Sequence, residues 1–336
     1  RNRVYPGYTE VELIQGSATD FSSGSFKSIY TPLSPSIASV SASTADGSYG
    51  VGEVITLNVL FSAAVNVVTT GGTPTLELET GNTDRAASYT SGSGTTTLNF
   101  TYTVQEGDNS SDLDFTGTSA LTLNGGTIKA SNGAANNANL TLASPGAANS
   151  LADNSSIIVD TIAPTITVAI NDGGDGSLNA AEDSSVTISG TTSGVSDGQT
   201  VSINISSSGG GTPINTTATV NINSYSVAGL DLSSLNDGTL TITADVSDLA
   251  GNSATQASDS TTKDTAAPTI SVAINDGGDG RLNAAEDSSV TISGTTSGAV
   301  DGQTVSINIS SSAGGTPINT TLRNTSLDHL LTAHPE

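Results

Sequence analysis

One duplication constrains this chain more than any other feature. Residues 161–217 and 265–321 align without a gap and differ at only six positions: Ile162/Ala266, Thr167/Ser271, Ser177/Arg281, Val195/Ala299, Ser196/Val300 and Gly209/Ala313. Near-identity over such a length means that one folding unit has been copied in tandem. The copies stand 104 residues apart. The match stops after Thr321, and Leu322 to Glu336 replaces what would be the later part of the second copy.

The unit reads as a β-sandwich. A period near 100 residues is the size of one such domain, and 336 residues accommodate two or three. Charged residues are 12% and aromatics 4%, with Cys, Met and Trp all absent. That composition suits several small cores in which Val, Ile and Leu alternate with Thr and Ser. Alternating runs between Gly, Asn and Asp clusters predict strands at 54–61, 75–78, 95–104, 121–123 and 157–159 in an antiparallel sandwich, with no helix longer than two turns. Strands at 216–220, 224–228 and 240–246 follow in the complete copy, and Ser208 to Pro213 reads as a hairpin loop. The boundaries expected are an N-terminal segment at 1–34, a first sandwich at 35–160, a second at 161–264 and an incomplete third at 265–336, unmatched from 322. Asp160-Thr161-Ile162-Ala163-Pro164-Thr165 and Asp264-Thr265-Ala266-Ala267-Pro268-Thr269 are the linkers, stiffened by proline.

The first 34 residues hold Tyr5, Tyr8, Phe21, Phe26 and Tyr30, five of the twelve aromatics, and short strands are expected at 11–14 and 25–30. This segment reads as an attachment piece or as a strand donor to a neighbouring chain. Half a sandwich leaves its core and sheet edges open, so completion of the third repeat by another chain is one of three explanations for its ending. A cut chain and a true stop are the others.

Thirty-two acids against eight bases give a formal charge of −24. Phosphate backbones and anionic lipids need clustered Lys and Arg, so nucleic acid is excluded as a partner. No run of 18 apolar residues exists, and no membrane insertion by a helix is expected. The chain begins at Arg1 without a signal-peptide pattern, which suggests a processed form or a fragment.

The acids cluster informatively in one loop, present twice. Counting Asn171 as position 1, Asp175 falls at 5, Gly176 at 6, Leu178 at 8 and Glu182 at 12, the spacing of a calcium loop that lacks only its third-position ligand, where Gly173 stands. Asn275, Asp279 and Glu286 repeat the pattern. A hard cation takes six to eight oxygens, and a chain wraps one by turning at Gly and closing with a distant carboxylate. Ca2+ fits better than zinc, since neither Cys nor a nearby His is present. The same residues also make tight turns, so a plain hairpin connection with Glu182 solvated stands beside the calcium reading.

Catalysis finds no support. His329 and His334 are the only histidines and no Ser or acid near them forms a triad pattern. Within 161–321 Tyr225 is the lone aromatic that could stack on a sugar, which favours spacers over ligand heads.

The linkers, the loop ending Leu178-Asn179-Ala180-Ala181-Glu182, and Val246-Ser247-Asp248-Leu249-Ala250-Gly251-Asn252 together resemble the tandem bacterial immunoglobulin-like repeats of large secreted adhesins, including the RTX type. Residues 35–160 are similar to an adhesin module through Gly52-Glu53-Val54-Ile55-Thr56-Leu57 and Leu123-Asn124-Gly125-Gly126-Thr127-Ile128-Lys129. The resemblance implies an all-β, extracellular rod of tandem immunoglobulin-like antiparallel β-sandwiches at the cell surface, non-catalytic, with calcium at loops and joints limiting flexion. By matching positions it implies Asn171, Asp175, Glu182, Asn275, Asp279 and Glu286 as ligands, and Asp160, Asp248 and Asp264 at the joints. The expected partners are further copies of the same repeats or a neighbouring chain, and a surface glycan or protein. A component of a virus particle or filament, and a carbohydrate-binding accessory of a secreted hydrolase, remain alternative readings.

Overall fold

The computed structural model describes residues 34–132, 136–288, 290–299 and 302–323. The strands expected at 11–14 and 25–30, both histidines and the tail from 324 lie outside the described residues. What is described is almost entirely strand, organised as immunoglobulin-like sandwiches with antiparallel sheets.

The first group of strands is β1 (Ile37–Ala42), β2 (Gly47–Tyr49), β3 (Val54–Val68), β4 (Thr75–Glu79), β5 (Arg85–Ser91), β6 (Thr95–Thr103), β7 (Asn109–Ser110), β8 (Asp114–Phe115), β9 (Leu121–Thr122), β10 (Thr127–Ala130) and β11 (Ile157–Asp160), with one helical turn, α1 (Leu151–Asn154). The large sheet runs β1-β3-β6-β5-β4-β8, with β10 on β3 and β9 on β4, and the small one runs β2-β11-β7. Strand β3 extends past the expected 54–61 because its second half changes partner. Ile55 to Leu60 pair with β6 in one register, a shift intervenes before Val65, and Val65 to Val68 take β10. Period-2 alternation does the rest: Ile55, Leu57, Val59 and Phe61 face inward against Leu98, Phe100 and Tyr102. Each such side chain removed from water contributes about 1.5–3 kcal/mol.

The second group is β12 (Thr165–Ile166), β13 (Ala169–Asn171), β14 (Ser177–Leu178), β15 (Val186–Ser193), β16 (Thr200–Ser207), β17 (Ile214–Thr219), β18 (Ser224–Leu230), β19 (Gly238–Asp245) and β20 (Ala257–Lys263). One sheet is β12-β15-β13 with β18 on β15, the other β14-β20-β19-β16-β17. A second core fills the space between them, built on Ile188, Val201, Ile203, Ile205, Leu240 and Ile242. The opening strand is split in two because Thr167 leaves the ladder and bonds the Thr191 carbonyl, while its own carbonyl accepts from the Tyr225 hydroxyl. Burial pushes that phenol up to about 12.

Two pairings depart from the antiparallel expectation. β2 lies parallel to β11, and β14 parallel to β20, so a strand near the start of each group runs alongside its last strand in the same direction. A chain whose first and last strands run in parallel enters at one end of a sandwich and leaves at the other, which is what tandem stacking needs.

The third group is β21 (Thr269–Ile270), β22 (Ala273–Asn275), β23 (Thr291–Ser293), β24 (Thr296–Ser297), β25 (Thr304–Ile309) and β26 (Ile318–Arg323). Its pairs, β21 with β24, β22 with β23 and β25 with β26, reproduce the registers of their counterparts 104 residues earlier.

One buried ion pair fastens the second group. Lys263 on β20 sits 2.9 Å from Asp183 and donates at 2.8 Å to the Leu232 and Leu235 carbonyls, so the buried ammonium spends all three donors. Removing one partner strands the other charge, at a cost of about 3–5 kcal/mol. Asp183→Ala and Lys263→Met should each lower native-state hydrogen-exchange protection across Val186–Ser193 by that amount, while the double change Asp183→Leu with Lys263→Met restores most of it.

Candidate functional site

The acidic loop of the second group leaves β13 at Asn171 and returns through β14. It is held by side chain to backbone bonds typical of Asx turns. Asn171 Oδ1 accepts from Gly173 N, Asp172 Oδ1 from Gly174 N and Asp175 Oδ1 from Ser177 N, at 3.0–3.2 Å. Positive φ at Gly173, Gly174 and Gly176 makes these tight turns possible. The following turn is a reciprocal cap: Asn179 Oδ1 accepts from Ala181 N, and Glu182 Oε2 from Asn179 N. Glu182 is thus exposed but engaged, unlike the solvated acid of the plain-turn reading.

The geometry explains the missing third ligand. A Cβ at Gly173 would stand 2.6 Å from Glu182 Oε1, and one at Gly277 the same distance from Glu286 Oε1. The position-12 carboxylate leans over position 3, and only glycine leaves it room. The copy at 275–287 repeats the bonds one for one, through Asn275, Asp276, Asp279, Asn283 and Glu286.

The donor set is chemically that of a hard cation, all oxygen. In each loop one oxygen of each predicted acid is tied to the backbone, leaving Asp175 Oδ2, Glu182 Oε1 and their counterparts uncommitted among the described residues. Among the described residues no three acidic or histidine side chains come together as a metal site would require. Ca2+ in this loop would therefore have to draw Asn171, Asp175 and Glu182 inward.

Asp172, not among the expected ligands, ties the loop to the sandwich. Its Oδ2 accepts from the Thr261 hydroxyl at 3.0 Å, and the Gly174 amide and that hydroxyl together hold its carboxyl below the usual aspartate range. Asp259 Oδ2 accepts from Ile170 N at 2.9 Å. Strand β20 thus anchors both ends of β13. The signal for this was weak: two polar residues of a Ser/Thr-rich strand 89 positions away.

The joint between the first two groups is built by residues 248–252. Asp248 is buried and spends both carboxylate oxygens on Asn252, one on its backbone amide and one on its side-chain amide, each at 2.9 Å. Asn252 Nδ2 in turn donates to the Asp160 carbonyl across the joint at 2.9 Å. The Ala250 carbonyl lies so close to Gly50 that a Cβ there would meet it at 2.5 Å. Thr161 adds a clasp, donating to the Asp108 carbonyl at 2.9 Å and accepting from Gly107 N at 3.1 Å. Asp160 and Asp264 each use Oδ1 on their own linker, at Ile162 N and Ala266 N. So the structure brings Asp160 and Asp248 to one joint, bridged by Asn252, and places Asp264 at the next. Asn252 and Gly50 had not been singled out as joint residues.

No protein-family model matches the chain, and no curated protein matches it in sequence. Among solved structures it is similar to a tetra-tandem repeat in the extending region of a large adhesion protein, at 22% identity and a TM-score of 0.32 over 90% of this chain. It is also similar to Salmonella α-2-macroglobulin reacted with methylamine, at 10% and 0.26 over 89%, and to the FN1–FN3 domains of chicken CNTN1, at 10% and 0.31 over 70%. The chain spans 65%, 21% and 67% of those structures respectively.

The joint makes a prediction of its own. Asn252→Ala removes the bond to the Asp160 carbonyl and leaves both cores untouched. The expected outcome is faster proteolysis within 161–164 and greater interdomain motion by NMR relaxation, with core amide protection unchanged.

Proposed function

We propose that this chain is a non-catalytic extender of a bacterial surface adhesin, projecting a binding region away from the cell. The observation that carries the reading is the parallel pairing of early and last strands, β2 with β11 and β14 with β20, combined with the built joint at Asn252. Modules that admit the chain at one end and release it at the other propagate in one direction. Asx-turned loops and a side-chain clasp at the joint restrict bending, and the high negative charge keeps an exposed rod soluble.

Calcium is the second half of the proposal. It would be held by Asn171, Asp175 and Glu182, and by Asn275, Asp279 and Glu286, with Asp160, Asp248 and Asp264 contributing at the joints. The ion supplies neutralisation of neighbouring carboxylates and a bridge between them. Of the joint acids, Asp160 and Asp264 retain an oxygen not used by the protein among the described residues, whereas Asp248 works through Asn252. Partners are further copies of the repeat or a neighbouring chain, and a surface glycan or protein met by the distal region.

The test compares small-angle scattering and thermal melting in calcium and in chelator. Chelation should lower the melting temperature and increase bending, and Glu182→Ala with Glu286→Ala should make both quantities insensitive to calcium. Superimposable curves for the unaltered chain in the two buffers would remove the calcium claim and leave the extender.

A further inference from the structure

The third group of strands carries an internal control, because the same sequence is folded twice in one chain. In the second group β18 covers β15, β19 covers the inner edge of β16, and β20 pairs with β14. Among the described residues of the third group no strand takes those positions, and residues 322–336 do not repeat 218–232. The consequences fall on identical side chains. Leu178 is 1% exposed, and its counterpart Leu282 is 41% exposed. Val168 packs against the second core, whereas Val272 is 71% exposed, and Ile270 and Ile274 stand open likewise.

These residues border a cleft of about 270 Å³ between the two half-sheets, lined by Ile270, Val272, Ile292, Val305 and Ile307. On its rim β25 offers a bare edge. Its sequence, Thr-Val-Ser-Ile-Asn-Ile, has no charge and no proline, the devices that normally protect an open edge. The same six residues at 200–205 pair with β19, Ser202 opposite Asp245 and Ile203 opposite Ala244. Three polar sockets are vacated as well. Asp287, counterpart of the buried Asp183, is exposed with no cation beside it among the described residues. Asp276 keeps its bond to Gly278 N but has nothing in the place of Thr261, and the Ser271 carbonyl has nothing in the place of Tyr225.

We propose that residues 269–323 form an acceptor site for strands of the β18–β20 type supplied by another polypeptide. The occupant is defined by what fills the twin site: a β-strand matching β18 with an aromatic hydroxyl, then a hairpin alternating Leu, Ile or Ala with Thr, ending in a lysine. That lysine enters the socket of Asp287 as Lys263 enters that of Asp183. Main-chain pairing along β25 supplies affinity, and the lysine with the inward apolar residues supplies register, since a slip of one residue would turn every apolar side chain outward. The site deepens the reading of an extender by naming its partner, and would join chains end to end. It does not depend on calcium.

The test uses the whole 336-residue chain and a labelled synthetic peptide of residues 224–263, in chelator, so that its result is separate from the calcium claim. Saturable binding in the micromolar range is expected, with new hydrogen-exchange protection at Thr304–Ile309. Lys263→Met in the peptide should weaken binding by about tenfold or more, and Asp287→Asn in the chain should abolish that preference, a coupling that nonspecific adhesion would not show. No binding, or binding indifferent to both changes, overturns the proposal. So does protection of Thr304–Ile309 in the chain alone: as a monomer it means that the chain's own residues cover the edge, and as a dimer that a second copy does.

Discussion

A sheet with one apolar face must be covered, and in this protein the cover is delivered late in the module. Strand β20 carries most of that duty. It pairs with β14, donates a hydroxyl to Asp172 through Thr261, receives the Ile170 amide on Asp259, and inserts Lys263 beside Asp183. All four contacts reach the opening third of the module, across 85 or so residues of chain. Closing such a loop costs entropy that grows only slowly with length, so late strands can fasten early ones without great penalty. The acidic loop therefore owes its placement to a strand far from it in sequence.

The same strand sets direction. Because β20 lies parallel to β14, the module's exit is opposite its entrance, and the next linker begins where a new module can stack. At the described joint the fit is made by short polar residues. Asp248 holds Asn252, Asn252 holds the Asp160 carbonyl, and Gly50 yields the space into which the Ala250 carbonyl projects. A carboxylate that spends both oxygens on one asparagine is a positioning group, and its burial is tolerable because its lone pairs are met.

The acidic loop shows how two readings of one motif coexist. Asn, Asp and Gly at these spacings fold the loop through Asx turns whether or not an ion is present, and the position-12 glutamate caps the turn that follows. Turn chemistry and hard-cation chemistry draw on the same oxygens. The glycine at position 3 belongs to the turn reading in its geometry, since Glu182 leans across it, and to the cation reading in what it leaves out.

By itself the sequence determined the strand class, the repeat unit with its internal identity, the hairpin at 208–213 and the inward residues of the long strands, because alternation and turn residues are local properties. It placed 75–78, 95–104 and 157–159 within a residue or two of the observed strands. It did not show β1, β5, β10 or β20, whose Ser, Ala, Thr and Lys carry little alternation and whose strand character comes from the neighbours they pair with. Tertiary structure alone decided that Asp183 meets Lys263, that Asp172 meets Thr261 and that Asp248 serves Asn252, since each joins residues through a spatial fit that no spacing encodes. It also decided that identical residues are core in one copy and surface in the other, because burial is a property of what lies opposite and not of the side chain itself.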